Sequence, residues 1–381
     1  MAQREKMSQL KNYGYYRYYP VIPKFLNSLI DLNWLRFCGL SLFLVLSLYC
    51  CCFATLCNLT YGEGQQLWEE YRDYFINEDG RVVDYYNGHV SHSEGQSYGM
   101  YLSVTYNDKE TFDKLGKWAK DNLGVRADHL MAWKWGERSK GTWGIIDYNN
   151  ATDGDVLIAY ALLKADKKWP GGNYKKEGLL IIKSLRENMS VNWKDFTILL
   201  PGYFGFDRGD SFIINPSYSI FAAYRYFAKV DEKAFWEKLY KDSLLLFIKT
   251  RFGALQLPAD WVILNETGIS ILYEKKPYFG YEAIRALLYI SWEEDFVIPG
   301  KLKKILDIYK KLDYIPLWVD IANDSISLTA APGGFYAVYA LAAKKVGEHV
   351  LSERLFKEAR EKLDRNDYYS FSLYLMAISD Q

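Results

Sequence analysis

Residues 93–104 read SEGQSYGMYLSV and residues 231–250 read DEKAFWEKLYKDSLLLFIKT, and the contrast between these two stretches predicts the fold. The first is apolar with small residues on every side, which is typical of a helix that is buried all round. The second carries charges on one side and an apolar stripe on the other, as a helix at the surface does. Residues 215–227 are of the first kind and residues 300–312 of the second. Such a contrast indicates an inner ring of buried helices wrapped by an outer ring of amphipathic ones.

Segments with helical spacing of apolar residues recur from about residue 64 onward, separated by turns that contain Gly, Pro, Asn or Asp. Strands and helices do not alternate, so a doubly wound sheet is not expected, and no fixed repeat period marks an α-solenoid. Short strands are predicted at residues 82–85, near residue 212, and at 261–264 with 269–273. We predict an all-α toroid with about twelve helices, near residues 66–76, 95–106, 109–123, 155–166, 174–189, 216–229, 231–249, 279–292, 298–311, 331–347, 351–363 and 369–379.

The composition excludes several classes of protein. The 381 residues include 47 basic and 47 acidic side chains with no block rich in Lys or Arg, so no nucleic-acid partner is expected. All five cysteines precede residue 58, so no disulfide or thiolate metal site is expected beyond it. The four histidines form no H-E-x-x-H motif, and neither a P-loop nor a G-x-G-x-x-G motif occurs. We therefore expect no metal and no cofactor.

An uncharged stretch near the N-terminus, FCGLSLFLVLSLYCCCFATLC at residues 37–57, is long enough to cross a membrane as a helix. In the leader, residues 1–36, basic residues outnumber Glu5 and Asp31, which favours a cytoplasmic location for the leader. We predict a signal anchor in the inner membrane, with a globular domain at residues 58–381 on the periplasmic or extracellular face. A cleaved signal peptide and a buried core helix are the alternatives.

Three short constellations combine carboxylates with glycine or arginine. In the first, Glu94 precedes Gly95 within SEGQSYGM, and the glycine lets another chain approach the carboxylate, as at the floor of a cleft. The alternative is a capping box, in which Ser91 and Glu94 only satisfy backbone amides. The G-x-S-x-G pattern at residues 95–99 lacks the preceding apolar strand and the suitable downstream His of a nucleophile elbow, so it does not indicate a serine hydrolase.

The second constellation is ATDGD at residues 151–155, which leads into VLIAYALLKADKKW. Asp153 and Asp155 carry chemistry in one interpretation. In the other, Thr152 or Asp153 is the N-cap of a helix, and Asp155 favours the helix start through its dipole. A calcium loop is excluded, because Leu157 and Lys164 occupy positions where it would need ligands.

The third constellation is FGYEAIR at residues 279–285. Glu282 and Arg285 are three residues apart, so they share one face of the predicted helix. A solvated ion pair is one interpretation. Because Tyr, Leu and Ile dominate the surrounding sequence, a partly buried pair is the other.

Aromatic residues crowd the sequence before the second constellation. Trp133, Trp135, Trp143 and Tyr148 precede Asp153, and the whole chain is 17% aromatic. Flat aromatic rings suit the apolar faces of sugars, although aromatic side chains also build hydrophobic cores. The cluster therefore indicates either a carbohydrate-binding cleft or part of the core.

These constellations, in this order, resemble glycoside hydrolase family 8. ATDGDVLIAYALLKADKKW is similar to the family signature A-[ST]-D-[AG]-D-x-x-[IM]-A, and LPGYFGFDR, NPSYSIF, LPADWV and YYSFSLYL are similar to stretches of its cellulose-synthase-associated members. The resemblance covers residues 62–379. It implies an (α/α)6 barrel and an inverting endo-β-1,4-glucanase that acts on cellulose-type β-glucan, and it suggests the cellulose synthase complex as a partner.

The resemblance also implies roles for individual residues. By position in the SEGQSYG motif, Glu94 would be the general acid. Asp153 would hold the sugar at the cleavage site in a distorted conformation, with Asp155 as the second candidate for that role. Glu282 falls where the family carries its base as Asp in Y-D-A-x-R, Arg285 would keep it charged, and Tyr281 would orient the attacking water. The substrate-binding residues expected around them are Trp135, Trp143, Asp155, Tyr281, Arg285 and Tyr218.

Glu in place of Asp at residue 282 leaves alternatives open. Inversion needs two carboxyl groups roughly 6.5–9.5 Å apart, and an added methylene reaches about 1.5 Å further. A slow enzyme and a glycan-binding protein that has lost its base are both compatible with this change. The same fold acting on chitosan, xylan or mixed-linkage glucan is a further alternative.

Overall fold

Twelve α-helices dominate the computed structural model, which describes residues 62–293 and 299–379. Within these residues no helix is both long and apolar enough to cross a membrane. The predicted leader at residues 1–36 and anchor at residues 37–57 lie outside them. The helices are α1 (62–75), α2 (Ser93–Thr105), α3 (Lys109–Asn122), α4 (Thr152–Lys168), α5 (Tyr174–Asn188), α6 (Phe221–Phe227), α7 (Lys233–Lys249), α8 (Ile284–Ser291), α9 (Pro299–Leu312), α10 (Gly333–Lys345), α11 (His349–Glu361) and α12 (Tyr368–Ile378).

Six of the helices form an inner ring. Helices α2, α4, α6, α8, α10 and α12 pack against one another in that order, and α12 returns to α2. Outer helices lie behind them, with α3 on α2, α5 on α4, α7 on α6, and both α9 and α11 on α10. Residues 95–104 of α2 are all buried, whereas α3 buries only one side. The prediction of buried inner helices and amphipathic outer ones is confirmed, and the arrangement fits an (α/α)6 barrel.

Short antiparallel strands occupy the connections between helices. They form the sheets β1-β2-β3, β10-β9-β6 and β11-β12-β13 and the pairs β4-β5 and β7-β8. Their bounds are β1 (Ser91–His92), β2 (Lys134–Ser139), β3 (Thr142–Asp147), β4 (Ser190–Trp193), β5 (Phe196–Leu199), β6 (Phe212–Ile214), β7 (Arg251–Phe252), β8 (Leu257–Pro258), β9 (Val262–Asn265), β10 (Gly268–Ile271), β11 (Tyr278–Phe279), β12 (Val319–Asp320) and β13 (Ser325–Ile326).

Contacts between α1 and α12 close the barrel. The ring of Tyr71 packs edge-on against Phe371, with ring centroids 5.7 Å apart. The hydroxyls of Tyr71 and Ser372 are hydrogen-bonded at 3.0 Å. Nearer the surface, Arg365 forms an ion pair of 2.7 Å with Glu70. The first and last described helices are therefore neighbours in space.

Two inner helices begin later than the sequence predicts. The segment predicted as one helix at residues 216–229 is divided into a 3-10 turn at Pro216–Tyr218 and α6. The carboxamide oxygen of Asn215 accepts a hydrogen bond from the Ser217 amide at 3.0 Å and so fixes this turn. The helix predicted at residues 279–292 begins at Ile284, because residues 278 and 279 pair with β12 as β11. Glu282 thus lies in the turn before α8 and not within the helix.

Of the predicted strands, the one near residue 212 and the pair at 261–264 and 269–273 are confirmed as β6, β9 and β10. The strand predicted at 82–85 is wrong, since only isolated bridges of Val82 and Asp84 occur there. The Asp84 carboxylate accepts hydrogen bonds from the amides of Tyr86 and Asn87 and thereby starts a 3-10 turn. The hairpin of β2 and β3 was not predicted, because glycines and charges interrupt its apolar pattern.

Candidate active site

The first turns of inner helices converge on a cavity of about 400 Å³. Glu94 is the second residue of α2, Asp153 the second of α4 and Arg285 the second of α8. Tyr369 lies in the first turn of α12, and Glu282 lies in the turn before α8. Because helix N-termini carry partial positive charge, this end of the barrel favours carboxylates.

Gly154 brings α2 and α4 close together at this end. A Cβ atom at residue 154 would lie 2.8 Å from Ser93 Oγ and 3.0 Å from the backbone nitrogen of Glu94. Both distances are too short for a side chain, so only glycine permits the approach. The approach places Asp153 beside Glu94. Asp153 does not cap α4, because the residue at the cap position is Ala151.

A buried arginine joins the other two carboxylates. Arg285 Nη1 donates to Asp153 Oδ2 at 2.8 Å and to the Tyr98 hydroxyl at 2.9 Å, and Nη2 donates to Glu282 Oε2. The side chains of Arg285 and Asp153 are 4% and 2% exposed, so their charges must be paired. The Glu282 side chain is 34% exposed and faces the cavity. The interpretation of Glu282 and Arg285 as a solvated ion pair is therefore wrong.

Glu94 lies in surroundings that favour its protonated form. Its Oε1 accepts a hydrogen bond from the indole Nε1 of Trp133 at 3.0 Å, and its Oε2 one from the Ser93 hydroxyl at 3.2 Å. Burial, together with the nearby charge of Asp153, raises the pKa of Glu94 to about 8. The capping-box alternative is wrong, because the Ser91 hydroxyl donates to the carbonyl of Val82 instead.

Glu282 is held in place by two donors on the same oxygen. Besides Arg285, the carboxamide Nδ2 of Asn215 donates to Glu282 Oε2 at 3.0 Å. Asn215 is itself fixed, because its Oδ1 accepts hydrogen bonds from the amide and the hydroxyl of Ser217. The longer side chain of Glu282 therefore ends in a defined position at the edge of the cavity.

Two of the expected substrate-binding residues accompany this group. The guanidinium of Arg285 lies over the ring of Tyr218, 5.4 Å from its centroid. Burial and the charge of Asp153 raise the pKa of the Tyr218 hydroxyl. Tyr281 lines the cavity, with its ring packed edge-on against Phe335 at 5.3 Å. Their contacts with a glycan remain predictions.

Three other residues predicted to contact substrate are not among those that line the cavity. Asp155 is completely buried, and its two carboxylate oxygens accept hydrogen bonds from the Met131 amide at 2.8 Å and the Asn150 side chain at 3.0 Å. It therefore holds the loop before β2 and has no surface for a sugar. Trp135 and Trp143 stack on each other, 5.3 Å apart, beneath the guanidinium of Arg81 on the hairpin of β2 and β3.

The tryptophan that does line the cavity is Trp133, which the sequence placed only within a general aromatic cluster. Its position follows from the hydrogen bond between the Ser93 amide and the Trp133 carbonyl at 2.9 Å, which carries the indole over α2. Asn215, Tyr98 and Tyr369 also escaped prediction. Asn215 had a usable signal, since the Asn-Pro pair at residues 215 and 216 marks a turn.

A larger cavity, of about 540 Å³, lies at the opposite ends of the inner helices. Lysines dominate its charged residues, namely Lys164, Lys167 and Lys168, and no carboxylate lines it. This larger cavity therefore offers no carboxyl group for acid or base catalysis.

The smaller cavity combines a carboxyl group that stays protonated near neutral pH with a carboxylate held by arginine. Acid and base catalysis of glycoside cleavage requires one protonated and one ionised carboxyl group. The described residues contain no group of three or more side chains suited to bind a metal.

Comparison with known proteins identifies the family of this chain. Residues 43–381 match the family model of glycosyl hydrolases family 8. An endoglucanase of Cellulomonas uda is 36% identical over 276 residues, covering 72% of this chain and 76% of its own. The crystal structure of endoglucanase Cel10 from Klebsiella pneumoniae superimposes with a TM-score of 0.73 at 33% identity, covering 82% of this chain and 97% of its own. The structure of endo-β-1,4-glucanase CMCax from Acetobacter xylinum also gives 0.73, at 30% identity and with coverage of 83% and 97%. The chain is a glycoside hydrolase and belongs to glycosyl hydrolases family 8.

Proposed function

We propose that the protein is an inverting endo-β-1,4-glucanase that hydrolyses cellulose-type β-glucan. The observation that carries the proposal is the shared cavity of Glu94 and Glu282, one carboxyl group with a raised pKa and one bound to Arg285. Three similar proteins, from Cellulomonas uda, Klebsiella pneumoniae and Acetobacter xylinum, are named endoglucanases or endo-β-1,4-glucanases. These names support cellulose-type β-glucan as the substrate.

In the proposed mechanism, Glu94 protonates the glycosidic oxygen as the bond to the leaving sugar breaks. Glu282 accepts a proton from a water molecule that attacks the anomeric carbon on the opposite face. Asp153, almost fully buried and paired with Arg285, lies next to Glu94 and acts on the sugar at the cleavage site through its charge. Positive charge develops on that sugar in the transition state, and the negative charge of Asp153 stabilises it.

A glycan-binding protein without catalysis is less well supported. A residue that had lost its function would not need two dedicated donors, yet Glu282 has both Arg285 and Asn215. Chitosan, xylan and mixed-linkage glucan are not favoured as substrates, because the relatives compared above are named endoglucanases or endo-β-1,4-glucanases.

The test is the release of reducing ends from carboxymethylcellulose, chitosan and xylan by the parent and by Glu94→Gln and Glu282→Gln. We expect activity on carboxymethylcellulose and a loss of at least about 10²-fold in each variant, since an acid or base contributes about 10²–10⁴. Glu110→Gln, on the exposed side of α3, is the matched control and should retain the parental rate. An inert parent, or a Glu282→Gln variant at the parental rate, contradicts the assignment. NMR of the first products should show the α-anomer.

We also propose that residues 37–57 anchor the protein in the inner membrane and place the hydrolase domain on the periplasmic or extracellular face, where it would meet the cellulose synthase complex. The uncharged length of this segment and its basic flank support the proposal. Alkaline phosphatase fused after residue 61 should be active when residues 37–57 are present and inactive when they are deleted. An inactive fusion that contains residues 37–57 contradicts export.

A further inference from the structure

Asp260, an aspartate with no role in the proposed mechanism, holds the turn that contains Glu282. Asp260 lies between β8 and β9. Its Oδ1 accepts hydrogen bonds from two backbone amides, those of Gly280 at 3.0 Å and Ala283 at 2.8 Å. Its own amide donates to the carbonyl of Tyr278 at 2.7 Å. Three hydrogen bonds therefore tie Asp260 to residues on both sides of Glu282.

The turn at residues 280–283 needs such support, because it precedes the regular part of α8. The first amides of α8, those of residues 284–286, donate to carbonyls of residues 280, 282 and 283, so the start of α8 depends on this turn. The amides of Gly280 and Ala283 themselves precede the helix, and the methyl side chain of Ala283 cannot accept a hydrogen bond. Asp260 supplies the acceptor for both amides from a different loop.

The local sequence is adapted to this contact. A Cβ atom at residue 280 would lie 3.3 Å from Asp260 Oδ2, so glycine lets the carboxyl group approach the turn without displacement. Burial and the nearby charge of Glu282 together raise the pKa of Asp260 to about 7. Oδ1 remains an acceptor whether or not the group is protonated.

We propose that Asp260 is a positioning residue for the base: it fixes the backbone of Glu282, while Arg285 and Asn215 fix the end of its side chain. The inference rests on the proposed function of Glu282. A side chain anchored at both ends has a defined carboxylate position, and the longer Glu needs this more than Asp would because it has one more rotatable bond. A misplacement of about 1 Å can cost about 10²-fold in rate.

The experiment compares Asp260→Ala and Asp260→Asn in the full-length chain. Asp260→Ala removes the acceptor, and we expect kcat on carboxymethylcellulose to fall about 10²-fold, with KM within about threefold. Asp260→Asn keeps an oxygen acceptor of the same size, and kcat should stay within about threefold of the parent. The matched control is Asp324→Ala, which removes a similar carboxylate anchor from the Ala254 amide, 2.9 Å away, and should leave kcat unchanged.

A substrate with a dinitrophenyl leaving group separates an effect on the base from a general defect. Its departure needs no proton from Glu94, so a defect on the acid side would disappear with this substrate, whereas a misplaced base would still slow the reaction. We expect Asp260→Ala to remain slow. A parental kcat in Asp260→Ala, an equal loss in the Asn variant, or recovery with the dinitrophenyl substrate would each overturn the inference.

Two further variants cover the remaining outcomes. If Asp260→Ala does not fold, Asp260→Ser decides the question, since its shorter side chain withdraws the acceptor from the amides of Gly280 and Ala283, and an unchanged kcat would overturn the inference. Glu282→Gln at the parental rate would instead show that the base assignment fails. If Glu282→Gln is inactive and Asp260→Ala is fully active, only the positioning role is lost.

Discussion

Replacing Glu282 with Asp shortens the side chain by one methylene and should lower kcat about 10²-fold. The carboxylate would withdraw by about 1.5 Å. The hydrogen bond from Asn215 Nδ2, now 3.0 Å, would lengthen to more than about 4 Å, beyond the limit for a hydrogen bond. The contact with Arg285 would be lost in the same way. A loss of about 10²-fold corresponds to about 2.7 kcal/mol of transition-state stabilisation.

The assay is kcat on carboxymethylcellulose for the parent, Glu282→Asp and the surface control Glu110→Asp, with thermal unfolding of each to establish folding. The control should match the parent in rate. The reasoning would be refuted by a Glu282→Asp variant as fast as the parent or faster. The barrel would then have kept the spacing for an aspartate, and the contacts of Arg285 and Asn215 would not locate the base.

Two other predictions concern the α2 end of the cavity. Gly154→Ala should destabilise the fold by about 1–3 kcal/mol, because the added methyl group meets the backbone of Glu94. In the control Gly116→Ala on α3, the methyl group meets only a flexible methionine at 3.6 Å, so this change should be neutral or stabilising. Equal melting temperatures of the two variants would contradict the prediction. The kcat of the parent should fall as the pH rises above about 8, since Glu94 acts in its protonated form. Trp133→Phe removes a donor that stabilises the ionised form of Glu94, so the pH above which kcat falls should rise by less than about one pH unit. A fall in that pH, or an equal rise in Trp143→Phe, would count against the role of the indole.

The ring of helices was predictable because burial acts on whole segments. A helix that faces other helices on all sides carries few charged residues, so α2, where Glu94 is the single one, differs visibly in sequence from α7. Helix starts were less predictable where tertiary pairing competes with the helix. The start of α8 depends on β11, whose partner β12 lies about 40 residues further along the chain, and no local pattern contains that contact.

Sequence motifs identified the main residues of the candidate site, but they did not predict which way each side chain points in the fold. Glu94, Asp153, Glu282 and Arg285 lie together, as the resemblance implied. Asp155 differs from Asp153 because side chains two residues apart on a helix point about 200° apart around the axis, on nearly opposite sides. Asp153 therefore points to Arg285, and Asp155 points to the Met131 amide.

The seam between α1 and α12 has a consequence for how the enzyme is made. The hydrogen bond between Tyr71 and Ser372 joins residues 301 positions apart, and α12 also supplies Tyr369 to the wall of the cavity. While the ribosome is still adding residues, Tyr71 lacks its partners Phe371 and Ser372, and the catalytic cavity lacks the side that α12 supplies. We therefore expect activity only when synthesis has passed α12.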